Sequence, residues 1–555
     1  MPKSGLPSEK LTYYDAFMSI PANPFVKRGV VGKAICEVRF RNVVITHNKQ
    51  PMAVLLPKRK RRVAPRGSGK CRLNPRTIMD RPSDHGHATQ RLDERRAEGA
   101  EWRRQVPHSA QAEWKVLPDR ADPVEILIGQ GKTRIAELLP IRYARMKANP
   151  FAFLRGAAAI MAADLAPGPA TGLRVQACGD CHLANFGAYA APEGTPVFDV
   201  NDFDETLPAC FEWDVKRLAV SLAVAGRVAG ASDREARQLA RTATKNYRRH
   251  LGRLALMSPL EAWSSRIDLA GAIADIDTPK IRRNIEKRRV AVLRGAAEHY
   301  GLVERKNGDW KIRDKPPLVH HLSHRELHAH QAFASYAETL HEDRRVLLQR
   351  YHRRDVAFKT VGVGSVGTFC AIGLFVSDDG TPLLLQIKEA QQSVLEAFAG
   401  ASAYLNHGER VIVGERMMQA ATDIFLGWTR NPVNGRYFYV RRLKDSRLAN
   451  IGTRLEAELP FYAALCGRTL ARAHARSGDA VALSGYMGDD SEFDKAIAEF
   501  AMATPTRRSV TGVVFWMRSR RGGLPPTHST YRQLDTIQTP RSVAVLASSL
   551  RQPLA

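Results

Sequence analysis

Polar side chains suited to phosphoryl transfer follow two short apolar segments of the chain. Asp180 has Asn185 five positions after it, and His182 lies between them. Asp202 and Asp204 follow the second apolar segment, 22 and 24 positions after Asp180. The D-x-x-x-x-N spacing and the later aspartate match the catalytic loop and the metal-binding acid of phosphoryl-transfer enzymes.

These residue types predict separate roles. An aspartate in such a loop accepts the proton of a substrate hydroxyl, so Asp180 is the predicted base. Mg²⁺ prefers oxygen ligands, which makes Asn185 and Asp202 the predicted ligands and Asp204 a second candidate carboxylate. The alternative is a polar turn whose Asp and Asn side chains only bind nearby backbone groups. We favour the catalytic interpretation because two acidic clusters follow predicted strands at this spacing.

A second pattern, V-G-V-G-S-V-G-T over residues 361–368, contains a G-x-G-x-x-G motif. This motif opens a helix in dinucleotide-binding folds, but in protein kinases it lies between two strands and covers the ATP phosphates. Strand-like sequence on both sides predicts the second arrangement, and a plain hairpin is the alternative. The predicted phosphate-covering glycines are Gly362, Gly364 and Gly367.

Lys388 ends the next strand-like run, and Glu396 follows on a predicted helix. In kinases a lysine after the glycine loop contacts the ATP phosphates and pairs with a glutamate on a helix. We therefore predict that Lys388 pairs with Glu396. A competing catalytic loop, H-A-R-S-G-D at residues 474–479, follows the glycine motif but lacks an asparagine five positions after Asp479.

The elements that must position these residues are predicted from apolar periodicity and turn residues. Strands are predicted at 173–177, 196–200, 356–361, 369–376, 383–387, 410–417 and 437–443. Helices are predicted at 150–166, 212–228, 393–399 and 455–476, and the segment 235–350 is predicted to be largely helical. This mixture indicates an α+β fold.

Several longer segments resemble a known bacterial family. They are RYARMKANPFAFLRG, CGDCHLANFG, FDVNDFDET, VGVGSVGT, LLLQIKEA, MMQAATDIFLGW and LARAHARSGD. Over about residues 91 to 503 the chain looks like DUF2252, an uncharacterised family named as a domain of unknown function. The motifs are similar to those of the protein-kinase-like superfamily, especially phosphotransferases of the aminoglycoside and choline type.

The resemblance implies a role for each matching residue. Asp180 would be the base, His182 would organise its loop, and Asn185 and Asp202 would bind the metal. The glycine motif would cover the triphosphate of ATP, and Lys388 would contact its α and β groups. In ordinary kinases the glycine loop comes first, whereas here it begins 182 positions after Asp180. The implied fold is kinase-like and circularly permuted, with a helical catalytic half before a β-rich nucleotide lobe.

The net charge of +28 lies mostly at the two ends of the 555-residue chain. Residues 1–80 contain 17 Lys and Arg against 4 Asp and Glu, and residues 501–555 contain 8 Arg against 1 Asp. These ends leave a net charge of only +8 on the residues between them. Basic ends could bind nucleic acid through its phosphates. We favour solvated, disordered segments because no aromatic or groove-reading pattern accompanies the charge.

The pattern changes along the chain predict five segments. They are a basic segment 1–90, a mostly helical catalytic half 91–350, a β-rich nucleotide lobe 351–450, C-terminal helices 451–503 and a basic tail 504–555 that resembles a shifted reading frame or an unrelated tail. The apolar runs are too short to span a bilayer, and the N-terminus lacks a secretory signal pattern. Seven cysteines indicate reduced thiols. We expect a cytoplasmic protein without a membrane partner.

These observations and the resemblance predict a Mg·ATP-dependent phosphotransferase acting on a hydroxyl of an unidentified small molecule or protein. One alternative is a catalytically inactive, kinase-like module that binds nucleotide and switches a partner. Another is a nucleic-acid-associated protein that acts through its basic ends. Nucleotide binding without turnover marks the first alternative, and salt-dependent nucleic-acid binding through residues 1–80 marks the second.

Overall fold

The computed structural model describes residues 91–504, except for 115–117, 275, 298–300, 317, 322–332, 334, 361, 433 and 444–457. The predicted segment 1–90 and, after its first residue, the predicted tail 504–555 lie outside the described residues. Helices and strands together form a mixed structure, which confirms the predicted α+β class. Within the described part of the chain, no helix is both long and apolar enough to cross a membrane.

Local sequence explains where several helices begin. Asp122 accepts from Val124 N before a helix that starts with proline, and Ser232 and Glu235 form a capping box. The helices are α1 Leu92–Gln105, α2 Pro123–Gly131, α3 Leu139–Lys147, α4 Pro150–Arg155, α5 Ala158–Leu165, α6 Phe211–Val228, α7 Asp233–Leu254, α8 Pro259–Ser264, α9 Leu269–Ala274, α10 Pro279–Ala297, α11 Glu342–Leu348, α12 Glu396–Ala399, α13 His407–Met418, α14 Leu459–Ala475, α15 Ala480–Met487 and α16 Glu492–Ala503.

The strands form short ladders and one larger sheet. They are β1 Arg174–Ala177, β2 Phe186–Ala190, β3 Pro196–Val200, β4 Leu207–Cys210, β5 Val303–Lys306, β6 Asp309–Ile312, β7 Val319–His320, β8 Tyr351–Lys359, β9 Cys370–Ser377, β10 Pro382–Ala390, β11 Gly427–Arg430 and β12 Tyr437–Arg442. The sheet is antiparallel, in the order β11-β12-β10-β9-β8-β7, and the pairs β1-β4, β2-β3 and β5-β6 form separate ladders.

Two of these ladders bring the polar loops together. In β2-β3, Phe186 pairs with Val200, so the residues just outside the ladder also meet, and Asn201 N donates to Asn185 O at 2.8 Å. In β1-β4, Ala177 pairs with Leu207. The loops 178–185 and 201–206 are therefore joined at both ends by antiparallel pairing, which places their acidic side chains near one another.

Helix α6 is the centre of the helical core. Every residue from 211 to 226 is buried, as expected for a helix packed on all sides. It contacts α7, α14 and α16 and begins immediately after β4. Its buried polar residues have partners: Glu212 accepts from Thr171 N at 2.7 Å, and Lys216 Nζ lies 4.6 Å from the centre of the Phe500 ring.

The larger sheet is covered on both faces. Alternate residues of β9 enter two different apolar clusters, with Ala371 and Phe375 in one and Ile372 and Leu374 in the other. This follows from the two-residue period of a strand, because neighbouring side chains point to opposite faces. Residues 360–369 connect β8 to β9, so the glycine motif lies between two antiparallel strands, as predicted.

The predicted strand 410–417 is wrong, because these residues belong to α13. The V-I-V run favours a strand locally, but the buried residues Val411, Ile412, Glu415 and Met418 recur at helical spacing. Asn406 caps this helix by accepting from Gly408 N and Glu409 N. The other predicted strands are confirmed within a few residues. The predicted helix 150–166 is divided into α4 and α5, and the segment 235–350 also contains β5 to β7.

The contact between α7 and α14 gives a test of the helical packing. A Cβ at Gly467 would overlap the backbone carbonyl of Ala243, whereas a Cβ at Gly252 would lie 3.6 Å from Ser484 Oγ. We expect Gly467→Ala to lower the free energy of unfolding by about 1–3 kcal/mol through overpacking. The control Gly252→Ala should raise it by up to about 1 kcal/mol, since alanine favours a helix. Urea unfolding measures both, and equal stability of the two variants would contradict this packing.

Candidate functional site

A cavity of about 640 Å³ is lined by the loops after β1 and β3 and by the glycine segment between β8 and β9. Its volume is typical of small-molecule sites. The predicted site residues on its wall are Asp180, His182, Asn185, Asp202, Asp204, Gly362 and Gly364. Two motifs that are far apart in the sequence therefore share one cavity.

Helix α6 holds the loop that carries Asp180. Asp214 accepts from Cys178 N at 2.6 Å and from Gly179 N at 3.0 Å, and Ser221 Oγ accepts from Leu183 N at 3.0 Å. Asp214 and Ser221 are seven positions apart, which places them on one face of a helix. Gly179 has a φ of +81°, and a Cβ there would overlap the backbone of the 201–206 loop. Glycine is therefore required where the two loops cross.

A third residue on this face of α6 fixes the Asp180 carboxylate. Arg217 donates to Asp180 Oδ1 through Nε at 2.6 Å and also through Nη2. Oδ2 lies 3.7 Å from His182 Nε2, on the side of the glycine segment. Burial raises the pKa of Asp180 above its usual value, although the positive charge of Arg217 opposes this rise. A carboxylate with a raised pKa accepts a proton more readily, which suits a general base.

Lys388 is positioned by Asp204. Its Nζ lies 2.7 and 3.0 Å from the two carboxylate oxygens of Asp204, which also accept from Tyr439 Oη at 2.6 Å and Ser365 Oγ at 3.1 Å. Tyr439 is directly opposite Lys388 in the pairing of β10 with β12. Burial is the largest influence on the pKa of Asp204 and opposes its charged form, but Lys388, Tyr439 and Arg441 together hold this pKa below its usual value. The two groups therefore form an ion pair in which Lys388 is buried and Asp204 is partly exposed to the cavity.

The predicted pairing of Lys388 with Glu396 is wrong. The carboxylate of Glu396 accepts from Ser393 N at 3.1 Å, before α12, and from Ser402 N at 3.3 Å, after it. Glu396 therefore binds backbone N–H groups on both sides of the four-residue helix α12. The 201–206 loop supplies the carboxylate for Lys388 instead.

The glycine segment is held from outside by the helical part of the chain. Arg145 Nη1 donates to Gly362 O at 2.7 Å, and Ile135 N donates to Gly367 O at 2.7 Å. Gly362 and Gly367 have φ values of +64° and +93°, which favour glycine. A Cβ at Gly364 would lie 3.1 Å from Arg155 O. These contacts hold the segment close to the Asp180 loop.

Asn185 and Asp202 are the residues that best fit a divalent cation. Asn185 Nδ2 donates to Asp180 O at 2.8 Å, which leaves its amide oxygen to act as a ligand. Within the described residues, the polar contacts of Asp202 Oδ1 are long, at 3.4 Å to Asp204 N and 3.6 Å to Lys388 Nζ. Asp204 is already bound by three donors and suits a metal less well. No group of three His, Cys, Asp or Glu residues could hold a metal in the described residues, but Mg²⁺ often takes its other ligands from water and phosphate.

The competing loop with Asp479 has a structural role. Asp479 accepts from Val481 N and Ala482 N at the start of α15, and its carboxylate binds Arg95 at 2.6 and 2.8 Å. It is not among the residues of the cavity wall. Among the two candidate loops, the one with Asp180 is therefore the one at the cavity.

Several residues of the cavity wall were not predicted. They are Arg134, Arg142, Arg155, Glu205 and Glu389, among others. Burial raises the pKa of Glu205 to about 7. Glu205 directly follows Asp204, so its place next to a predicted site residue could have indicated that it belongs to the site. Arg142 and Arg155 both lie in RYARMKANPFAFLRG, one of the segments that resemble the family, but neither has a spacing that predicts a role in a site, and Arg134 lies outside those segments.

The Asp180–Arg217 pair gives a test of the site's electrostatics. Arg217→Met should lower the free energy of unfolding by about 3–5 kcal/mol, because it leaves a buried carboxylate without its partner. Adding Asp180→Asn should recover part of this loss by removing the charge. As a control, Arg237→Met breaks the exposed ion pair with Glu499 and should cost at most about 1 kcal/mol. Chemical denaturation measures all three, and a double variant no more stable than Arg217→Met would contradict the pairing.

Comparison with known proteins identifies a family but no characterised relative. No curated protein matches the chain, and no solved structure matches it. The family described as "Uncharacterized protein conserved in bacteria (DUF2252)" matches residues 134–509, which is more than half of the chain. The matched region contains the Asp180 loop, Asp202, the glycine segment and Lys388. The chain therefore belongs to the DUF2252 family.

Proposed function

We propose that this protein transfers the γ-phosphoryl group of Mg·ATP to a hydroxyl group of an acceptor. The observation that carries the proposal is the shared cavity, where the Asp180 loop faces the glycine segment. The close approach of Gly364 to the backbone of Arg155, on the Asp180 side, supports this arrangement. A base, oxygen ligands for a cation and a glycine-rich backbone segment are the parts that phosphoryl transfer requires.

Each residue has a defined task in this proposal. Asp180 accepts the proton of the acceptor hydroxyl through Oδ2, since Arg217 binds Oδ1. Asn185 and Asp202 hold Mg²⁺, which neutralises charge on the phosphates when it is bound. The backbone of the glycine segment covers the phosphates, and Lys388 supplies a positive charge close to them. Most of the rate would come from positioning and charge neutralisation.

The proposed fold is kinase-like with its two parts in exchanged order along the chain. Residues 351–390 supply the strand–glycine segment–strand unit and the next strand with its lysine, while the Asp180 loop precedes them and is held by α6. Asp204 takes the place of the glutamate that pairs with the lysine in kinases. Both partners of this ion pair then lie next to the cavity, without a contribution from α12.

Nucleotide binding without transfer is the second candidate function. The ion pair between Arg217 and Asp180 favours binding without transfer, because a carboxylate paired with a guanidinium is a weaker base. In that case the same cavity would bind Mg·ATP and no acceptor would react. The two candidates therefore share the nucleotide site and differ at Asp180.

Thermal unfolding of the full chain with and without Mg·ATP tests the shared nucleotide site. A ligand at 100 times its Kd stabilises a protein by about 2.7 kcal/mol, so we expect a clear rise in the unfolding midpoint. Asp202→Asn should remove most of the Mg²⁺-dependent part of the rise. The control Asp378→Asn, in the exposed turn after β9, should respond like the wild type. A folded wild-type protein with no shift at millimolar Mg·ATP would contradict the proposal.

Asp180→Asn separates transfer from binding alone. We expect this variant to keep the stabilisation by Mg·ATP and to lose phosphoryl transfer, including slow transfer to water, by about 10²–10⁴-fold. Release of phosphate from labelled ATP measures the reaction. If the wild type binds Mg·ATP but shows no release and no transfer in an acceptor screen, the binding module is the correct function. An unchanged rate in Asp180→Asn would exclude Asp180 as the base.

A further inference from the structure

Arg142 on α3 is a buried cation that faces the cavity with incomplete hydrogen bonding. Arg142 is 1% exposed and forms part of the cavity wall. Nη2 donates to Gly156 O at 3.0 Å and to Gln130 Oε1 at 3.2 Å. Nε and Nη1 have no hydrogen-bond partner among the described residues. Buried polar atoms are normally paired, so two open donors on one guanidinium require an explanation.

A second arginine lies beside it. Arg134 also belongs to the wall, and its Nη1 donates to Val366 O in the glycine segment at 2.6 Å, while its Nε has no hydrogen-bond partner within the described part of the chain. Burial and the neighbouring charge of Arg134 lower the pKa of Arg142 to about 9, so Arg142 remains cationic at neutral pH. Two like charges are therefore held together inside the cavity wall.

Neither arginine has a carboxylate at salt-bridge distance within the described residues. Two other buried arginines in the described residues have a carboxylate partner. Arg248 pairs with Asp494 at 2.8 Å, and Arg472 pairs with Asp199. A buried charge without a counterion is costly, and the cost is offset when a ligand of opposite charge binds. Glu205 on the same wall attracts both arginines but forms no salt bridge with either in the described residues, so a bound anion would supply an ion-pair partner.

Lys388, unlike the two arginines, already has an ion-pair partner. Asp204 already neutralises it, and Tyr439 and Ser365 complete the hydrogen bonding of that carboxylate. Lys388 can add a positive charge near a ligand, but among the guanidinium groups on the cavity wall those of Arg134 and Arg142 lack a salt bridge in the described residues. Guanidinium groups bind tetrahedral oxyanions well, because their planar forks can donate two parallel hydrogen bonds to a phosphate group.

We infer that Arg134 and Arg142 form a subsite for a phosphate group within the cavity. This chemistry fits two sources, which are the terminal phosphates of the nucleotide and a phosphate carried by the acceptor. The assignment of the source rests on the proposed function, whereas binding of the phosphate group itself does not. Either source makes the arginine pair a specificity-determining part of the site.

Binding of inorganic pyrophosphate to the full chain, without nucleotide or Mg²⁺, tests the subsite directly. Calorimetry should detect binding by the wild type, and Arg142→Gln should weaken it at least about tenfold, the effect of losing about 1.4 kcal/mol of charge-assisted hydrogen bonding. Arg237→Gln removes the same charge at an exposed position and should bind like the wild type. If Arg142→Gln does not fold, Arg134→Gln in the half-buried neighbour serves the same test.

The response of Mg·ATP binding in these variants identifies the source. Parallel weakening of Mg·ATP assigns the subsite to the nucleotide, and unchanged Mg·ATP binding with weakened pyrophosphate binding assigns it to the acceptor. Equal pyrophosphate affinity in the wild type and both variants would overturn the inference, and so would no binding by the wild type at millimolar pyrophosphate. Because the probe contains no nucleotide, the pyrophosphate result tests the subsite even if the phosphotransferase proposal is wrong.

Discussion

The cavity depends on one buried carboxylate. Asp214 accepts the backbone N–H groups of Cys178 and Gly179, and His474 and Tyr247 continue the hydrogen-bond chain behind it. This network joins α6, α7 and α14 to the loop after β1. Burying a carboxylate is unfavourable unless its oxygens are hydrogen-bonded, so the loop and the helical core can adopt their positions only together. The orientation of the site residues follows from this constraint.

Charge pairing divides the cavity into neutralised and available groups. Asp180 is paired with Arg217 and Asp204 with Lys388, which leaves Asp202 as the acid with the weakest contacts. Among the positively charged groups, Arg142 has no carboxylate partner in the described residues. A cation near Asp202 and an anion near Arg142 would balance these charges. The proposed ligand, Mg·ATP, would bring both of these charges into the cavity.

The glycine segment illustrates how distant parts of the chain combine. Its backbone conformation is set locally by positive φ values at Gly362 and Gly367. Its position over the Asp180 loop is set by donors from the helical part, including Arg145 and Ile135. The segment thus connects the larger sheet to the helical core, and the cavity forms along this connection. Its shape should respond to changes in the helical core as well as in the sheet.

The sequence by itself determined the α+β class, most strands and the two polar motifs, because strand periodicity and short-range spacing are local properties. Tertiary structure decided the partner of Lys388 and the contribution of Arg134 and Arg142. It also made residues 410–417 helical through burial at helical spacing. Ion pairs and charged walls depend on which loops and helices meet in space, and local sequence does not encode that meeting. In this protein, the register of β2 with β3 and the packing of α6 bring these loops and helices together.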